Sequence, residues 1–122
     1  MIATKGNGEP RILLCGHMDT VPGSIPVRIQ DGFIYGRGAS DAKAPLISML
    51  LAASEFPKQR GTIIFAAVVD EEGNATGIKH LVSKHLDVNY AIFGEPSGID
   101  KITIAYKGRL AIRLICDLKN SA

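Results

Sequence analysis

Apolar positions along this chain fall in short blocks whose period changes from one block to the next. Arg11-Ile12-Leu13-Leu14-Cys15 is a nearly unbroken apolar run closed by Gly16, the pattern of a strand buried on both faces. Thr62–Val69 repeats that pattern with more β-branched residues, and Tyr90-Ala91-Ile92-Phe93 repeats it again before Gly94. Between these runs the period becomes helical. Leu46, Met49, Leu50 and Ala53 share one face of a helix predicted from about Asp41 to Phe56. Asp41 is placed to cap it, and Pro45 falls in the first turn, where a missing N–H is tolerated. Pro57 to Gly61 ends that helix, and a second follows the Gly73–Gly77 loop with Ile78, Leu81, Val82 and Leu86 on one stripe.

Shorter signals fill the gaps. Val27-Arg28-Ile29 and Phe33-Ile34-Tyr35 flank Asp31-Gly32, which predicts a small hairpin with a tight turn. Ile102, Ile104 and Tyr106 alternate with polar neighbours, as do Leu110, Ile112 and Leu114 beyond Lys107-Gly108, so two further strands are expected. Met1 to Pro10 reads as a loop-like lead-in. Strand, helix, strand, helix, strand predicts an α/β fold with parallel pairing and right-handed crossovers.

Composition narrows the class. A chain of 122 residues, 46% hydrophobic and 21% charged, is sized for one domain and can bury a core. Its 14 Lys and Arg against 12 Asp and Glu are interleaved without a basic run, which argues against a nucleic-acid surface. The longest apolar stretch, around Ala44–Ala53, falls short of the roughly 20 residues that span a bilayer. No export signal is expected. Cys15 and Cys116 lie far apart and outside any C-x-x-C unit, as expected of two thiols in a reducing compartment. A cytoplasmic protein that binds neither nucleic acid nor membrane is expected.

Open α/β sheets place ligands at the carboxyl ends of their strands. Here those ends lead into Gly16-His17-Met18-Asp19, Asp70-Glu71-Glu72 and Gly94-Glu95-Pro96, while Asp41 opens the first helix over the same edge. One imidazole and up to six carboxylates therefore converge on a common rim. Like charges so gathered raise one another's pKa values unless a cation compensates them. A divalent metal is the economical answer, and imidazole with carboxylate suits zinc, cobalt or manganese better than calcium or magnesium. Singly, each element has an ordinary reading: a loop histidine, a helix cap, a solvated acidic turn, a loop acid. Together, at one edge, they read as a site. His80 and His85 on the second helix are read as non-ligands.

Gly16-His17-Met18-Asp19-Thr20-Val21-Pro22, Gly36-Arg37-Gly38-Ala39-Ser40-Asp41-Ala42-Lys43, Asp70-Glu71-Glu72 and Gly94-Glu95-Pro96 resemble successive motifs of a co-catalytic zinc hydrolase family. That family includes acetylornithine deacetylase, succinyl-diaminopimelate desuccinylase, glutamate carboxypeptidase and aminoacylase. His17 to Leu50 and Gly94 to Leu114 look closest to its lysine- and ornithine-forming branch, which releases the amino acid from an acetyl group or an amino-group carrier protein. The resemblance implies a three-layer α/β/α catalytic domain of zinc-exopeptidase type, with a mostly parallel sheet, present only in part. Residues 1–108 would be its N-terminal portion, and 109–122 the start of a lid and dimerisation domain. It further implies that Asp41 bridges two metals about 3.5–4 Å apart, that His17 and Glu95 complete one site, and that Glu72 belongs to the other. Glu71 would be the general base, and Asp19 would hydrogen-bond the His17 imidazole and raise its basicity.

Departures from the family pattern shape the remaining expectations. The family's second metal site takes a distal histidine, and no candidate follows His85. One zinc or cobalt ion is therefore expected to bind well, a second poorly, with little turnover by this chain alone. The strand Leu110–Cys116 is expected to recruit a second copy into a homo-oligomer. The leading expectation is hydrolysis of an amide in an N-acylated or carrier-protein-linked amino acid, releasing lysine or ornithine in amino-acid biosynthesis. A dipeptidase or carboxypeptidase of the same family and a non-catalytic metal-binding fragment are the alternatives.

Overall fold

The computed structural model describes residues 1–57, 60–108, 110 and 112–116. In chain order its elements are β1 (Ile2–Asn7), β2 (Arg11–His17), β3 (Arg28–Gln30), β4 (Phe33–Tyr35), α1 (Ala44–Glu55), β5 (Gly61–Val68), α2 (Thr76–Ser83) and β6 (Tyr90–Phe93). Four strands form one sheet in the order β1-β5-β2-β6, while β3 and β4 form a separate ribbon. β2 runs parallel to β5, with His17 opposite Val68, and parallel to β6, with Cys15 opposite Phe93. The sheet is thus mostly parallel, as expected.

β5 lies between β1 and β2 and is buried at every position. Alternation along a strand sends successive side chains to opposite faces. Ile64, Ala66 and Val68 therefore join Leu13, Cys15 and Leu81 in one core. Ile63, Phe65 and Ala67 join Leu14, Leu46 and Ala53 in the other. Since Leu81 belongs to α2 and Leu46 to α1, each face is covered by one helix, giving three layers. Crossovers of one hand require this: β2 to β5 steps one way across the sheet, and β5 to β6 steps back past β2. Each large side chain so buried contributes about 1.5–3 kcal/mol.

Three expectations change. The lead-in is not a bare loop, because Ile2–Asn7 pairs antiparallel with β5, Ile2 opposite Ala66. An edge strand this polar has no hydrophobic alternation to reveal it; it is held by the hydrogen-bonding edge that β5 offers. Regular helix begins at Ala44 rather than Asp41, and Asp41 (φ −114, ψ 103) sits within an irregular turn over Ala39–Lys43. Its carboxylate is not a cap; it meets His17 instead. Finally, the alternating residues beyond Gly94 form no strand among the described residues. Ile102, Ile104, Leu110, Ile112 and Leu114 stand exposed, because a strand needs a ladder partner and no described strand lies beside them. Arg109, Ala111 and residues 117–122, most of the expected lid segment, lie outside the described residues.

The predicted hairpin is present, with Arg28 opposite Tyr35. Asp31 (φ 51) and Gly32 (φ 79) supply the two left-handed residues that its two-residue turn demands. Gly77, inside α2, lets the helix approach the end of β5. Its N–H donates to the Val69 carbonyl at 3.0 Å, and a Cβ there would overlap the Val69 main chain. No helix among the described residues is long and apolar enough to cross a membrane.

Candidate metal centre

Parallel pairing brings the ends of β2, β5 and β6 to one edge, so the loops that leave them share a rim. His17, the last residue of β2, is 1% exposed and forms the floor of that rim. Its Nδ1 lies 3.1 Å from the main-chain carbonyl of Asp19. A carbonyl only accepts, so Nδ1 carries the proton and Nε2 is left to face outward. Nε2 stands 3.1 Å from Asp41 Oδ1 and 3.9 Å from Glu71 Oε2. A lone pair aimed at two carboxylates is unfavourable unless a cation sits between them, whether a proton or a metal ion.

The electrostatics agree. Burial pushes the His17 pKa down, yet the hydrogen bond to Asp41 and the charges of Glu71, Glu95 and Asp19 carry it above its ordinary value. Glu95 is raised by burial and by the like charges of Glu71, Asp41 and Glu72, with His17 opposing them. Both shifts record a surplus of negative charge around one imidazole. Ligand atoms of His17, Asp41 and Glu95 lie within 4.8 Å of one another, and those of His17, Glu71 and Glu72 do the same. The two groups share His17. The donor set, one imidazole with carboxylates, fits a borderline divalent ion.

Asp19 ties the rim together. Its Oδ2 accepts the Glu72 main-chain N–H at 3.2 Å, while Oδ1 lies 3.5 Å from His17 Nδ1, buried and without a hydrogen bond. Although burial raises the Asp19 pKa, main-chain N–H groups of Glu72 and Glu71 outweigh it and hold the carboxyl below its ordinary value. The loop carrying both glutamates is thereby anchored beside the histidine. Asp70, by contrast, leaves the rim. Its Oδ2 accepts the Thr76 hydroxyl at 2.8 Å and the Thr76 N–H at 3.3 Å, closing the start of α2. That hydroxyl, with the Asn74 main chain, lowers its pKa. His80 and His85 join no ligand group among the described residues.

A cleft of about 740 Å³ at the rim is lined by Asp41, Glu71 and Glu95 and also by Phe93, Thr103 and Tyr106. The last two were not singled out in the sequence as site residues. Tyr106 reads there as one position of an alternating strand, and only the path of the chain after Pro96 brings it over the carboxylates.

The family model described as Peptidase family M20/M25/M40 matches residues 13–110. A Sulfurisphaera tokodaii protein named LysW-lysine/LysW-ornithine hydrolase is 44% identical over 109 residues, 89% of this chain and 32% of its own length. A Saccharolobus islandicus protein of the same name is 41% identical over 110 residues, 90% of this chain and 32% of its own. A Thermococcus kodakarensis protein, provisionally given that name, reaches 51% over 114 residues, 93% of this chain and 32% of its own. The chain spans about a third of the length of the curated relatives it matches.

Proposed function

This chain belongs to Peptidase family M20/M25/M40, and we propose that it carries the metal-binding part of a hydrolase that cleaves the amide of an N-acylated or carrier-protein-linked amino acid. Lysine or ornithine would be the amino acid released, by analogy with the names of its relatives. One observation carries the reading: His17 Nε2, its ring fixed through Nδ1, faces carboxylates that arrive on separate loops.

His17, Asp41 and Glu95 would hold one ion, and Glu72 would contribute to a second that Asp41 helps to bind. Asp41 and Glu71 both approach His17 through the same nitrogen, Nε2. One nitrogen serves one ion, so a single zinc or cobalt ion is expected to bind tightly. When bound, such ions lower the pKa of water and polarise an amide carbonyl. Glu71 lines the cleft, and its carboxylate is 46% exposed. In this reading Glu71 would take a proton from the attacking water and pass it to the departing amine. Asp19 positions the machinery by holding the Glu72 N–H beside the His17 ring. A cytoplasmic setting rests on Cys15 and Cys116, which are unpaired.

Metal stoichiometry tests the reading. After dialysis against dilute zinc, about one ion per chain is expected by elemental analysis, as for a site with a preformed set of ligands. It should be lost in Glu95→Ala and kept in Glu72→Ala. Zinc absent from a folded chain would overturn the proposal.

A further inference from the structure

We infer that Phe93 and Tyr106 form a recognition wall for an aliphatic side chain ending in an ammonium group, the side chain of the amino acid released. The inference rests on the amide-hydrolase reading above and adds the residues that would select its substrate. Phe93 closes β6 and Tyr106 follows it on the chain that crosses the cleft; both line the cavity that contains Asp41, Glu71 and Glu95. An amide held at those carboxylates must send one of its two flanking groups along this wall. We assign the cleft to the amino acid, the smaller of the two groups when the other is a carrier protein.

The chemistry of the wall favours a cation on a methylene stem. Phe93 is 55% exposed and Tyr106 70% exposed. They are large aromatic surfaces beside reactive groups that the core does not use. Ring faces attract an ammonium and pack against the methylenes that carry it. Among the described residues no Lys or Arg lines the cleft, so none of them favours an anionic side chain there. Thr103 and Ser97, also in the lining, offer hydroxyl oxygens that accept from an ammonium.

Binding by the zinc-loaded chain tests this without recourse to turnover. Calorimetric titration compares N-α-acetyl-lysine with N-α-acetyl-norleucine, which keeps the aliphatic stem and lacks the ammonium. The lysine compound should bind more tightly. Tyr106→Leu should shrink that preference about fivefold, and Tyr106→Phe, which keeps a ring face, should preserve it. Tyr106 is too exposed for either change to unfold the chain, and Phe93→Leu gives a second, independent reading of the wall. If both compounds bind equally, or if the preference survives both leucine variants, the recognition wall is overturned while the hydrolase reading stands. If neither compound binds a chain that holds zinc, the substrate class falls, and the inference falls with it.

Discussion

Two apolar regions of this molecule meet opposite fates. β5, Gly61–Val68, is buried at all of its positions. Further along, Ile99, Ile102, Ile104, Leu110, Ile112 and Leu114 are between 75% and 107% exposed. Their hydrophobicity is comparable; their surroundings are not. β5 has a strand on each edge and a helix on each face, so each of its side chains exchanges water for protein contacts. Among the described residues the later segment has no strand beside it and no layer over it. Apolar character thus becomes stability only where topology supplies partners, and His17 gains its fixed position from ending a strand of the partnered region. Tyr106 reaches the same cleft from the region that lacks them.

The largest effect that sharpens this contrast is a cavity in the core. Phe65→Ala should cost about 3–5 kcal/mol of stability, whereas Ile104→Ala should change it by no more than about 0.5 kcal/mol. Urea midpoints of the two variants check this, and equal losses would erase the distinction. Gly77→Ala comes next. The added methyl would strike the Val69 main chain, which cannot swing aside like a side chain, and a loss of about 1–3 kcal/mol is expected. Thermal unfolding of that variant reads how tightly α2 is seated against the end of β5.

Asp19→Asn probes how far the partnered region governs the rim. It should keep the fold and lower zinc affinity about 10- to 100-fold, because the carboxylate behind His17 is lost. Competition with a chromophoric chelator measures it, and unchanged affinity would mean that the main-chain carbonyl orients the ring alone. The smallest effect concerns Asp70. The Thr76 hydroxyl and the Asn74 main chain hold its carboxyl below the ordinary value, so the folded-state pKa is depressed. Its contribution is therefore present above the unfolded carboxylate pKa and is lost as pH falls through the folded value. The gap in melting temperature between the parent and Asp70→Asn should be widest near neutrality and close on acidification. A gap independent of pH would assign the effect to the amide's geometry rather than to charge.

Legibility followed local pattern. Long apolar runs announced β2, β5 and β6, and Asp31-Gly32 announced the hairpin, because each signal is contained within a few residues. The acidic rim was legible for a topological reason: parallel strands end on one edge, so residues just past their ends become neighbours wherever the chain goes between them. β1 is not legible because its Gly and Lys break any alternation, and it is held by hydrogen bonds that β5 provides. Asp41 reads both as a rim carboxylate and, from its place before a helix, as a cap, and Asp70 reads as part of the rim because it adjoins two glutamates. The structure turns Asp41 to His17 and Asp70 to Thr76.

By itself, the sequence determined the α/β class, the family and which acidic and imidazole side chains meet at the rim, because these depend on residue type and order. Tertiary structure alone decided which nitrogen of His17 faces the carboxylates, which acid leaves the rim and which aromatic side chains overlook it. Those outcomes depend on distances of a few ångströms between segments remote in sequence. Only packing around the sheet sets such distances.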